Sequence, residues 1–221
     1  MRGLKTVSVV EALTMTLRAR VLDGQIDAGV GITEADVAAE YDVSRPTAKT
    51  AISLLLHEGL LRREAHKSAY VPELSRTDVE DLFLVRIPLE LEVVRLVGGQ
   101  QAVPAAAAQA VVDLAALPAG AAHSTFVEAD LRFHRALVEA VDSPRLTRLY
   151  TGLSGEIHLS MVQAHYALGR DRIVAEHRAI LDALNRAEPD AAETLMRSHL
   201  EGARDALAEQ FDIITDRPAP A

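Results

Sequence analysis

Apolar residues recur at helical spacing over most of this 221-residue chain. Val9, Val10, Leu13, Leu17 and Val21 share one face, which predicts a helix over residues 8–23 that stops at Gly24. A loop, QIDAGVGI, follows. Thr33 then precedes EADVAAEY, with Asp36 three residues on: a favoured cap, then first-turn acid. Asp42 and Val43 form a short turn, and Ser44 caps a third helix, RPTAKTAISLLLHEG, which tolerates Pro46 in its first turn and ends at Gly59. Two extended runs, LLRRE and AYVPEL, flank AHKS, and Pro72 breaks the second. Helix, helix, turn, helix, hairpin predicts a winged helix-turn-helix over residues 1–75.

From Thr77 onward the period stays helical. The predicted spans are 77–98, 104–116, 122–142, 144–167, 170–187 and 189–212, with Ser75 and Thr77 as caps of the first. The breaks hold Gly98-Gly99, Pro104, Pro118-Ala119-Gly120, Ser143-Pro144, Gly169 and Pro189. Alanine runs such as AVPAAAAQAVV are helix formers, no strand pattern appears, and DRPAPA at the end reads as a frayed tail. The expected class is mainly α: a winged helix-turn-helix over 1–75, then an all-α helical bundle over 76–221.

Charge changes that picture in one respect. The formal net charge is −9, which argues against nucleic acid. Residues 1–75, however, hold 9 Lys+Arg and 10 Asp+Glu, whereas 76–221 hold 14 and 22. The acid sits in the second part, so the first is free to present a local basic surface. The absence of cysteine excludes disulfides, thiolate metal sites and a cysteine nucleophile, and fits a cytoplasmic location. No run of about 18 apolar residues predicts a membrane span, and the first residues, broken by Glu11, Arg18 and Arg20, do not read as a signal peptide.

Four residues carry candidate chemistry. Asp130 and His134 lie four apart in EADLRFHRALVEAV, hence on one helical face. His177 opens EHRAILDAL and His199 lies in AAETLMRSHLEGARDAL, each within an apolar face. Polar groups on such faces need partners, and one divalent ion shared by all four would supply them. Separate histidines with local hydrogen bonds are the other reading.

The segment ITEADVAAEYDVSRPTAKTAISLLLHEGLLRRE resembles the winged-helix domain of the GntR family of bacterial transcription regulators. DLFLVRIPLELEVVRLV, DLRFHRALVEAVDSPRL, EHRAILDAL and SHLEGARDAL resemble the FCD ligand-binding domain of its FadR subfamily. The likeness covers about residues 8–212. It implies that Ser44, Arg45, Thr47 and Lys49 face the major groove, where arginine reads a guanine edge with two bonds and lysine offers a point charge. His66 and Lys67 would be wing contacts to the minor groove or phosphates. Pro46-Thr47 reverses the family's usual order, Lys49 replaces its usual arginine, and the wing lacks its usual glycines, so the operator sequence does not carry over.

The resemblance also implies that Asp130, His134, His177 and His199 hold Zn²⁺, Ni²⁺, Mn²⁺ or Fe²⁺ with open positions for a small carboxylate effector. Arg86 would line that pocket and pair with the acid, unless it is a surface charge or pairs instead with Glu90 across one turn. His158 and His165 share a helical face, seven apart; His158 would border the pocket or serve as a hydrogen-bonded structural residue. The implied protein is a cytoplasmic homodimer on a palindromic DNA operator, a repressor modulated by an organic acid. The rivals are a regulator for which the ion itself is the signal, and a metal-dependent enzyme. The enzyme reading lacks a general base, because Glu176 should point away from the face that carries His177.

Overall fold

The computed structural model describes residues 7–100, 103–164 and 169–215. Its contacts divide the chain into two compact units, Met1–Glu73 and Leu74–Ala221.

The first unit contains α1 (Val9–Leu22), β1 (Gly31–Ile32), α2 (Glu34–Glu40), α3 (Arg45–His57), β2 (Arg62–Arg63) and β3 (Ala69–Tyr70). Its helix boundaries follow local chemistry. Ser8 and Glu11 form a reciprocal capping box at the start of α1. The Thr33 hydroxyl accepts from the Asp36 amide at 3.1 Å, and the Ser44 hydroxyl from the Thr47 amide at 3.2 Å. Each such cap is worth about 1 kcal/mol. Gly24 and Gly59 take φ of +67° and +77°, turning the chain where α1 and α3 stop. Leu13, Leu17, Val37, Ile52 and Leu55 form the core, and Ala48 and Ala51 keep α3 thin enough for close contact with α1 and α2. The sheet order is β1-β3-β2, antiparallel throughout, with Gly31 and Arg62 both opposite Tyr70. β1 falls in the segment expected to be loop. Two residues show no alternation, and only pairing with the distant β3 makes them a strand.

In the second unit, all elements among the described residues are helices: α4 (Arg76–Gly98), α5 (Ala105–Ala116), α6 (His123–Ala140), α7 (Pro144–Gln163), α8 (Arg170–Asn185) and α9 (Pro189–Thr215). α4 lies along α9, α5 along α6, and α8 against α9. Ser75 alone caps α4, so Thr77 falls within the first turn. Pro88 sits on the exposed side of α4, where water can satisfy the carbonyl whose bond proline removes. Gly98 permits a close approach: a Cβ there would meet Pro189 Cβ at 3.0 Å, so α4 ends against the start of α9. Leu131, Leu137, Leu200 and Leu207 are among the fully buried core residues, each contributing about 1.5–3 kcal/mol. His165 and the DRPAPA segment lie outside the described residues.

Candidate functional site

Asp130 and His134 occupy successive turns of α6, His177 the middle of α8 and His199 the middle of α9. These three helices bring the four side chains together in the core. One ligand atom from each lies within 4.8 Å of the others, and all four residues are buried. The Nε2 atoms of His134 and His199 are 3.3 Å apart, as are those of His177 and His199, and His177 Nε2 lies 3.4 Å from Asp130 Oδ1.

Two carboxylates stand behind the histidines. Glu90 on α4 accepts from His134 Nδ1 at 2.5 Å, and Glu176 on α8 accepts from His199 Nδ1 at 2.8 Å. Burial alone would raise the pKa of Glu90, but Arg86 and then His134 outweigh it and bring it to about 2. An ionised carboxylate can only accept, so the proton of His134 sits on Nδ1 and its Nε2 carries a lone pair. The pKa of Glu176 is lowered as well: its bonds to His199 and Arg172 overcome desolvation, which gives His199 the same tautomer. Two lone pairs therefore face each other across 3.3 Å with no proton between them. Protonating His134 or His177 is a poor remedy. Burial lowers the pKa of His134, and it takes His177 well below its ordinary value, with the neighbouring imidazoles adding to the effect. Asp130 Oδ1 has no hydrogen-bond partner. A divalent cation would relieve all of these conflicts at once, so the residues fit one.

His177 differs from its neighbours. Its Nδ1 has no hydrogen-bond partner, and its ring is held by stacking on Phe133 with centroids 3.9 Å apart. Arg86 is 2% exposed, which excludes a surface role. Its Nε donates to Glu90 at 2.6 Å, the alternative pairing, while neither Nη makes a hydrogen bond among the described residues. His158 is buried on α7 outside the four-ligand cluster, with Nδ1 3.6 Å from the Glu128 carboxylate. Glu176 reaches His199 on the adjoining helix. Its contact, and that of Glu90 with His134, were not read from the sequence. The Arg86–Glu90 spacing was a partial signal; the contacts to the histidines depend on how α4 meets α6 and α8 meets α9.

In the first unit, Arg45 and Lys49 are exposed on α3, and Arg45 has no ion-pair partner among the described residues. Ser44 and Thr47 share a hydroxyl contact of 2.8 Å at the start of the helix. His66 is exposed at the hairpin tip with φ +64°, a conformation that glycine adopts more readily. Lys67 is paired with Glu64 at 2.6 Å, so its charge is already partly balanced within the hairpin.

Residues 81–202 match the model of the FCD domain, and residues 9–71 match that of the bacterial regulatory proteins of the gntR family. Among curated relatives, the chain is 26% identical over 217 residues to the HTH-type transcriptional regulator BphR of Paraburkholderia xenovorans, covering 94% of this chain and 88% of that one. It is 25% identical over 181 residues to a probable D-xylose utilization operon transcriptional repressor of Paenarthrobacter nicotinovorans, covering 81% and 80%. A solved putative GntR regulator from Rhodococcus sp. RHA1 shares the fold with a TM-score of 0.71 at 24% identity, over 95% of this chain and 99% of that one. These relatives are regulators, and the chain is not an enzyme.

Proposed function

Because the chain belongs to the GntR family of bacterial regulatory proteins, with an FCD domain behind its DNA-binding domain, we propose that it is a repressor of the FadR subfamily whose operator affinity is set by a metal-bound organic acid. The convergence of Asp130, His134, His177 and His199 within 4.8 Å, with facing lone pairs and no proton to share, carries this reading.

In this proposal Asp130 Oδ1 and the three Nε2 atoms hold Zn²⁺, Ni²⁺, Mn²⁺ or Fe²⁺, and the ion supplies positive charge and open positions for a carboxylate oxygen. Glu90 and Glu176 hold the imidazoles in the ligating tautomer. Arg86 keeps its Nη groups for the acid while its Nε stays on Glu90. His158 borders the acid site. Arg45, with Lys49, Ser44 and Thr47, meets base edges and phosphates of the major groove, and His66 and Lys67 meet the DNA from the wing. A palindromic operator calls for a two-fold symmetric homodimer. The protein works in the cytoplasm; no helix among the described residues is long and apolar enough to cross a membrane.

The test is elemental analysis of protein purified without added metal or chelator, followed by binding to operator DNA selected from a random pool. The metal-loaded protein should bind tightly and release the DNA when the right acid is added. By linkage, DNA should weaken the acid by the same factor, typically about 5–150-fold. Arg86→Lys, which keeps a cation beside Glu90 but loses the two-pronged donor, should abolish the response to acid. A protein that neither carries nor takes up these metals refutes the reading. DNA release on chelation alone, with no acid effective, makes the ion itself the signal.

A further inference from the structure

Tyr150 lies on α7 at 2% exposure, and its hydroxyl has no hydrogen-bond partner among the described residues. Burying a hydroxyl without a partner is costly, and phenylalanine would fill the same space without that cost. Its helix, α7, packs against α4, which carries Arg86 and Glu90, and against α6, which carries Asp130 and His134. Burial, followed by the charge on Glu90, pushes its pKa upward, so the phenol keeps its proton and remains a donor. With Asp130 Oδ1 given to the ion, the Nη groups of Arg86 are the other donors available to an acid, since among the described residues Arg86 bonds through Nε alone.

We propose that Tyr150 is a specificity residue of the acid site, donating its hydroxyl proton to an effector oxygen that is not part of the metal-bound carboxylate. This rests on the metal–acid reading above. A carboxylate has two oxygens, and the ion and the forked Arg86 donors use both. A third donor with no protein acceptor calls for a third oxygen, so the effector is a hydroxy acid, keto acid or dicarboxylate rather than a simple monocarboxylic acid.

The experiment is calorimetric titration of the Zn²⁺-loaded full chain, wild type and Tyr150→Phe, with propionate, lactate, malate and gluconate. At least one oxygen-rich acid should bind the wild type about tenfold or more tighter than propionate. Tyr150→Phe should erase that preference, weakening the preferred acid about tenfold while leaving propionate and Zn²⁺ binding unchanged. The acid-free variant should unfold at the same temperature as wild type or higher, since it loses an unpartnered buried hydroxyl. A variant that keeps the preference overturns the assignment and leaves the metal–acid reading standing. A variant that weakens propionate equally overturns the third-oxygen claim. A lower unfolding temperature without acid makes the hydroxyl structural and also overturns it. If wild type takes Zn²⁺ but binds none of the four acids, the metal–acid reading fails and this inference falls with it.

Discussion

Glu90→Gln offers the sharpest view of how the second unit is held. The side chain is fully buried, bonded to Arg86 Nε at 2.6 Å and to His134 Nδ1 at 2.5 Å. Glutamine has nearly the same volume, so no cavity confuses the result. It removes the charge that is ion-paired to a buried guanidinium. Breaking a buried pair from one side costs about 3–5 kcal/mol. A second route gives a similar figure. The fall in the pKa of Glu90 from 4.5 to about 2 corresponds to about 3 kcal/mol in favour of the charged form. With a urea m-value of about 2 kcal/mol per M, the unfolding midpoint should drop by about 1.5 M, read by circular dichroism. The same change weakens the acceptor behind His134, so Zn²⁺ affinity should fall about 10–100-fold in a competition titration. Replacing both partners, Arg86→Met with Glu90→Met, should regain stability relative to Glu90→Gln, because no stranded charge remains, but should not regain metal affinity. An unchanged midpoint together with unchanged Zn²⁺ affinity in Glu90→Gln would show that the Arg86–Glu90–His134 chain carries neither role.

Other outcomes follow from the same geometry. His134→Ala and His199→Ala should each lose bound metal by elemental analysis; full retention in either would remove that residue from the ligand set. The metal-free protein should lose stability in two stages as pH falls. The folded-state pKa values of His134 and His177 lie below the ordinary 6.5, so the unfolded chain takes protons first and stability drops below about pH 6.5. Glu90 is depressed too, so its contribution is complete above 4.5 and is lost as pH falls towards 2. Thermal melts between pH 8 and 3 check this, and a flat profile from 7 to 5 would contradict the histidine part. Arg45→Ala should cost about 1–3 kcal/mol of operator binding and relax preference at one base pair per half-site, seen as an altered footprint. His66→Gly should raise stability or leave it unchanged, because φ +64° costs a histidine about 1 kcal/mol that glycine does not incur; a lower melting temperature would count against that strain.

The sequence by itself determined the helices and their ends. Ser8, Thr33, Ser44, Ser75 and Ser143 cap the helices they precede because a short side-chain oxygen satisfies amides only one turn away. Helical spacing put Asp130 and His134 on one face, and the apolar stripes around His177 and His199 marked both as inward-facing. Those are short-range relations, fixed within a few residues of chain. The tertiary structure alone decided that β1 is a strand, since its only signature is a partner far along the chain. It alone put His134 and His199 nitrogens 3.3 Å apart, withdrew Arg86 from the surface, and set Glu90 and Glu176 behind the histidines. Helix periodicity says which side of a helix faces the core, but not which residue of another helix it meets there. That is fixed by how α4, α6, α7, α8 and α9 settle against one another, a sum of many packing contacts that no local spacing encodes.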